Sequence, residues 1–153
     1  MIKNKKLFNI CGKIIIFKSK GKGEMYITDI NKDILCKTGS GNSIYWMITS
    51  ERGAKNFELR YIEIPVKGKS SYGSHKHEHE VFIIKGKGKI KGMDYEKELK
   101  PLNAVFVPGD EEHQWINEGS EPFGFICVVP KGAESESKPP CGEEKVLKAS
   151  SNC

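Results

Sequence analysis

The stretch SHKHEHEVFIIKGKG, residues 74–88, decides the fold. Its first half places histidine at every second position, His75, His77 and His79, and its second half, EVFIIKG, is a β-branched and aromatic run closed by glycines. Such a run reads as a strand entered from a polar loop. In one straight strand, side chains at i and i+2 share a face about 6.6–6.8 Å apart, so His75 and His79 would stand about 13 Å apart. Imidazole nitrogens bind zinc at about 2.0–2.1 Å, so the three rings meet one ion only if the chain reverses among them. Glu78 alone is too short a connection for a reversal after His77, whereas Lys76-His77-Glu78 forms a three-residue turn between His75 and His79. That spacing selects His75 and His79 as a facing pair. His77 then sits at the turn tip, facing solvent or acting as a fourth ligand where the turn is distorted.

Working outward, strand signals continue in both directions. IIIF (14–17), MYITDI (25–30), IYWMI (44–48) and FELRYIEI (57–64) precede the histidines; KIKG (89–92), YEKELK (95–100), AVFVP (104–108), HQWIN (113–117) and FGFICVVP (123–130) follow. Turn formers separate them, including Gly39-Ser40-Gly41-Asn42, Pro108-Gly109-Asp110 and Glu118-Gly119-Ser120. Short strands punctuated in this way predict an all-β sandwich or barrel. Helical periodicity is absent apart from a turn near Thr49 to Ala54. The fourth histidine of the chain, His113, follows the Pro-Gly-Asp turn. With every imidazole at one of two loop–strand junctions, the pattern points to ligation, and His113 joins His75 and His79 as the candidate metal set.

Two segments resemble the motifs of the cupin family. SHKHEHEVFIIKGKG (74–88) is similar to the first, G-x5-H-x-H-x3-4-E-x6-G, with Gly86 and Gly88 at its end. AVFVPGDEEHQWIN (104–117) is similar to the second, G-x5-P-x-G-x2-H-x3-N, through Pro108, His113 and Asn117. GAKNFELRYIEIP (53–65) and FGFICVVPKG (123–132) also resemble strands of the subgroup that reads H-x-H-P-x-E-H-E-V-F, so the likeness spans about residues 50–132. The resemblance implies a double-stranded β-helix, the jelly-roll or cupin barrel, with additional N-terminal strands. It also implies one divalent transition-metal ion (Mn, Fe, Ni, Cu or Zn), a small-molecule ligand and a homodimer paired through outer sheets. There are departures. His79 occupies the place of the motif's glutamate, which makes this an all-histidine site. Gly73 falls where the subgroup has its first histidine and His75 where it has its second. Leu102 and Asp110 stand where the second motif has glycines, so those turns are expected to be shaped differently.

Strand parity gives a lining for the site. With His113 inward, Trp115 and Asn117 share its side, and beyond His79 so do Val81 and Ile83. On the last strand Phe123, Phe125, Cys127 and Val129 form one face and Gly124, Ile126 and Val128 the other. Trp115, Val81, Ile83 and Cys127 are the expected pocket-lining residues, plain core being the commoner role for Trp115 and Cys127. Glu80 and Glu112, more commonly solvated surface, are the nearest carboxylates for orienting an imidazole or moving a proton.

Composition narrows the alternatives. A chain of 153 residues buries a core without staples, and 37% hydrophobic with 29% charged residues is ordinary for a globular domain. The formal charge of +5 raises nucleic-acid binding, but all but Arg52 and Arg60 of the 25 basic residues are scattered lysines, which argues against it. No apolar run is long enough to cross a membrane. At the N-terminus Lys13 and Lys18 bracket the apolar IIIF and no small-residue cleavage site follows, so a cytoplasmic location is expected. Five cysteines, Cys11, Cys36, Cys127, Cys141 and Cys153, form no C-x-x-C pair and read as reduced thiols. The expected organisation is N-terminal strands (1–50) packing on a cupin barrel (51–132), then a polar, disordered tail (133–153).

Three imidazoles around one ion leave coordination positions open, the arrangement of a working site. The expected function is metal-dependent chemistry (dioxygenase, isomerase or lyase) on a small oxygen-chelating metabolite, the alternative being a non-catalytic binding module. The sequence carries no helix-turn-helix, which places a sensing regulator last.

Overall fold

The computed structural model describes residues 15–18, 24–30 and 36–133. Cys11, Cys141, Cys153 and the polar tail beyond residue 133 lie outside the described residues. Eleven strands are present among those described: β1 (Ile15–Lys18), β2 (Glu24–Ile27), β3 (Cys36–Lys37), β4 (Ser43–Ile48), β5 (Phe57–Ile64), β6 (His79–Lys85), β7 (Gly88–Lys91), β8 (Glu96–Leu99), β9 (Ala104–Val107), β10 (Gln114–Ile116) and β11 (Phe123–Pro130). The only helical element among the described residues is one 3-10 turn, Ser50–Arg52, where the sequence suggests a turn. Its first amide, Ser50 N–H, donates to the buried Glu58 carboxylate at 2.8 Å.

β1 and β2 pair with each other in a compact unit of their own. The rest form a six-stranded antiparallel sheet, β3-β4-β5-β11-β6-β9, and a three-stranded one, β10-β7-β8. β4, expected among the N-terminal strands, is hydrogen-bonded to β5 through Ser43↔Glu63, Ile44↔Ile62, Tyr45↔Tyr61 and Trp46↔Arg60. β11 lies between β5 and β6, with Cys127 opposite Arg60 on one side and Val81 on the other. That central place explains its apolar sequence: a strand flanked on both sides turns a full face into the core.

Both sheets feed one hydrophobic cluster. The large sheet gives Ile64, Val81, Ile83, Val107, Phe123, Phe125, Cys127 and Val129; the small one gives Ile90, Leu99 and Trp115. Alternation on β6 shows how period-2 patterning aims the site, since His79, Val81 and Ile83 are buried while Phe82 and Ile84 face outward. Each buried Phe or Ile contributes about 1.5–3 kcal/mol relative to exposure. Asn117 is fully buried and acts as a clamp. Its Nδ2 donates to the carbonyls of Ile64 (3.0 Å), Pro65 (3.1 Å) and Glu121 (2.9 Å), and its Oδ1 accepts from Gly119 N–H (2.9 Å).

The two motif positions that lack glycine nevertheless take the left-handed backbone glycine favours: Leu102 at φ 74° and Asp110 at φ 65°. The surrounding ladder holds the conformation and the side chains absorb the strain, about 1–2 kcal/mol for an ordinary residue and less for Asp.

Candidate metal centre

Two loop–strand junctions build the centre. His79 opens β6, where pairing with Val107 of β9 fixes its inward direction. His75 lies on the loop before it, and a bend at residues 76–77 turns the chain back so that the Nε2 atoms of His75 and His79 face each other at 2.5 Å. His113 precedes β10 and is held by a two-way bridge to Gly73: His113 N–H to Gly73 O at 2.9 Å and Gly73 N–H to His113 O at 3.3 Å. Where the resemblance would place a further histidine, the backbone of Gly73 thus anchors His113.

The two junctions are tied directly. Asp110 N–H donates to His75 O at 2.7 Å, and a methyl at Gly109 would drive into the carbonyl oxygen of Lys76. Glycine at 109 is what lets the Pro-Gly-Asp turn approach the histidine loop so closely.

One donor atom from each of His75, His79 and His113 lies within 4.8 Å of the others, with His79 and His113 buried and His75 half-buried. His77 stands outside this converging set. Its ring stacks on that of His75, with centroids 3.8 Å apart and planes 3° from parallel, and its carbonyl accepts from His75 Nδ1 at 2.8 Å. His113 Nδ1 likewise donates to Glu111 O at 2.8 Å. Both carbonyls fix a tautomer with the proton on Nδ1 and the Nε2 lone pair turned to the centre, the arrangement that suits imidazole to a metal. The donor set therefore fits a divalent transition metal: three neutral nitrogens, two of them oriented by carbonyls, converging from two segments.

Burial disfavours charge on His79 and His113. His79 is held near 2, against an ordinary 6.5, by burial first, then by the Arg60 guanidinium and the neighbouring imidazoles. Burial also lowers His113, opposed by its hydrogen bond to the Glu111 carbonyl. A metal needs the neutral ring, so the site is prepared for a cation rather than for protons.

Trp115, Val81, Ile83 and Cys127 are all buried in the hydrophobic cluster, with the Trp115 ring edge-on to His113 at 6.5 Å and 4.7 Å from Phe125. The carboxylates play no orienting part: Glu112 accepts from Tyr72 O–H at 3.0 Å, and Glu80 lies one residue from His79 on the opposite face of β6. Sequence reading missed Arg60. It is 4% exposed, stacks over Trp46 at 5.4 Å, and places Nη2 3.2 Å from His79 Nδ1 and 3.5 Å from Cys127 Sγ. The available signal was parity: a lone arginine at the centre of FELRYIEI shares a face with Glu58, Ile62 and Ile64.

A two-sheet antiparallel barrel with a three-imidazole centre at one set of loop junctions defines a class of small metal-site proteins. Residues 60–129 match the family described as Cupin domain, and this stretch is a cupin domain. It is 32% identical over 92 residues to the 1-methylthio-D-xylulose 5-phosphate methylsulfurylase of Rhodospirillum rubrum, covering 60% of this chain and 59% of that protein. The match thus spans less than two thirds of the relative. Among solved structures it is similar to a cupin 2 domain-containing protein from Halorhodospira halophila (28% identity, 62% of this chain and 68% of that one, TM-score 0.57). The polyketide cyclase RemF from Streptomyces resistomycificus shares the fold (20% identity, 68% and 79% covered, TM-score 0.59). No helix among the described residues is long and apolar enough to cross a membrane.

Proposed function

We propose that His75, His79 and His113 hold one divalent transition-metal ion and that the chain acts on a small metabolite chelating it through two oxygens, an α-hydroxy-ketone being the best-fitting class. The observation that carries this reading is the convergence of the three imidazoles with no carboxylate among them. Neutral ligands leave the ion's charge uncompensated and Arg60 adds a further positive charge beside it, so the site favours an anionic or enolate-like ligand. The relative named for a xylulose phosphate supports a ketose-like ligand. An ion held there would supply a Lewis acid for a carbonyl, serving isomerase or lyase chemistry, or a centre for dioxygenase chemistry. The chain's own residues would orient the ligand and exclude water: Trp115 and Phe125 wall the interior beside His113.

The test is to load the protein with Co(II) and titrate hydroxyacetone phosphate while following the visible ligand-field bands. A saturable spectral shift supports the reading. Unchanged bands up to millimolar ligand would count against it. The homodimer is also a proposal, supported by the outward Phe82, Ile84 and Phe106 of β6 and β9, which are 44%, 41% and 61% exposed. Light scattering on the eluting peak gives a mass near twice 17.2 kDa if it holds and near one chain if it does not.

A further inference from the structure

We propose that Cys127 is a positioning residue for the centre: its sulfur accepts the Nδ1 proton of His79 and so holds the tautomer whose Nε2 lone pair faces the ion. The inference rests on the reading that His75, His79 and His113 bind a metal. For His75 and His113 a backbone carbonyl takes the Nδ1 proton. His79 is different. Its Nδ1 lies 3.1 Å from Cys127 Sγ and 3.2 Å from Arg60 Nη2, and Arg60 Nη2 is 3.5 Å from the same sulfur, which closes a triangle. A guanidinium only donates. Without an ion, Arg60 can donate to Nδ1 while the ring proton sits on Nε2 against the bare Nε2 of His75; that ring is no ligand, and binding an ion moves the proton to Nδ1, where an acceptor is needed. The sulfur is the member of the triangle that can accept from both neighbours. A neutral thiol suffices, because its own hydrogen points to Val128 O at 3.8 Å, leaving lone pairs for His79 Nδ1–H and Arg60. Strand register makes the arrangement possible, since Cys127 is directly opposite Arg60 on β5 and opposite Val81, two residues beyond His79, on β6.

Two measurements test this on the full-length chain. The first is long-range 15N–1H NMR of histidine-labelled, zinc-loaded protein at neutral pH, which reads the tautomer of each ring. Wild type and Cys127→Ser should show His79 protonated on Nδ1; Cys127→Ala should move the proton to Nε2, with Arg60 now donating to Nδ1. The second is zinc titration. Cys127→Ala should weaken binding about 10–100-fold, the range for loss of a partner that orients a ligand, Cys127→Ser should stay near wild type, and Cys127→Ala/Arg60→Met should recover part of the loss because the competing donor is gone. Arg60→Met alone should leave the Nδ1 proton in place. An Nε2 proton on His79 in wild type, a tautomer switch in Arg60→Met, or zinc binding by Cys127→Ala equal to wild type would each overturn the assignment. Wild-type protein that binds no zinc would sink the metal reading itself, whereas wild type and Cys127→Ala binding zinc equally would sink the role of Cys127 alone.

Discussion

The amide of Asp110 donates to the carbonyl oxygen of His75 across 2.7 Å, joining the loop that carries one imidazole to the turn that aims another. Gly109 makes this contact possible, because any side chain there meets the backbone of Lys76. The geometry of the centre therefore depends on a backbone approach between two segments as well as on the rings themselves.

Gly109→Ala should separate the two segments by forcing the Lys76 carbonyl aside. The strands are untouched, so circular dichroism should be unchanged while zinc affinity falls about tenfold, the lower end of the loss expected when a ligand's support is disturbed. Isothermal titration checks this, and wild-type affinity in the variant would mean the approach is not needed.

Leu102 is 79% exposed and held at φ 74°. Leu102→Gly should raise stability by up to about 1 kcal/mol, the relief of left-handed strain less the extra unfolded-state entropy of glycine. A higher urea midpoint is the expected readout.

Asn117→Ala should lower stability by about 2–3 kcal/mol, since Ile64 O, Pro65 O and Glu121 O lose a shared donor in a buried position. Stability within 0.5 kcal/mol of wild type, about the scatter of neutral surface changes, would contradict the clamp.

Burial, Arg60 and neighbouring imidazoles hold His79 near 2, and burial lowers His113, so both are neutral in the folded, metal-stripped protein while the unfolded chain takes up protons below about 6.5. The unfolded state then binds more protons, so stability is complete above about pH 6.5 and declines as pH falls toward 2. Over the part of that window where only the unfolded ring is charged, each site costs about 1.4 kcal/mol per pH unit. Urea midpoints at pH 7.5 and 5.5 check the sign; a flat profile would contradict buried neutral rings. Arg60→Met should make the decline level off at a higher pH, because it removes the guanidinium's share of the shift and leaves the slope between pH 7.5 and 5.5 unchanged.

Much of this was legible in the chain itself. Strand and turn chemistry carried the all-β fold, and FELRYIEI and FGFICVVP run the full lengths of β5 and β11, because a strand buried on one face writes its period into the residues. The pairing of His75 with His79 followed from reach alone. What was not legible depends on contacts across strands. Arg60 looks like one basic residue among 25 until β11 sets Cys127 beside it. Glu80 and Glu112 read first as solvated carboxylates; the carbonyls of His77 and Glu111 orient the imidazoles, and backbone groups leave no mark in a sequence. Leu102 and Asp110 depart from the glycine pattern yet take the left-handed backbone, at a strain of about 1–2 kcal/mol for an ordinary residue.

Metal stoichiometry tests the central claim most directly. Protein purified anaerobically, loaded with Mn(II), Fe(II) or Zn(II) and desalted should carry about one ion per chain, and His79→Ala should carry close to none while remaining folded. An ion content in His79→Ala equal to that of wild type would contradict the account.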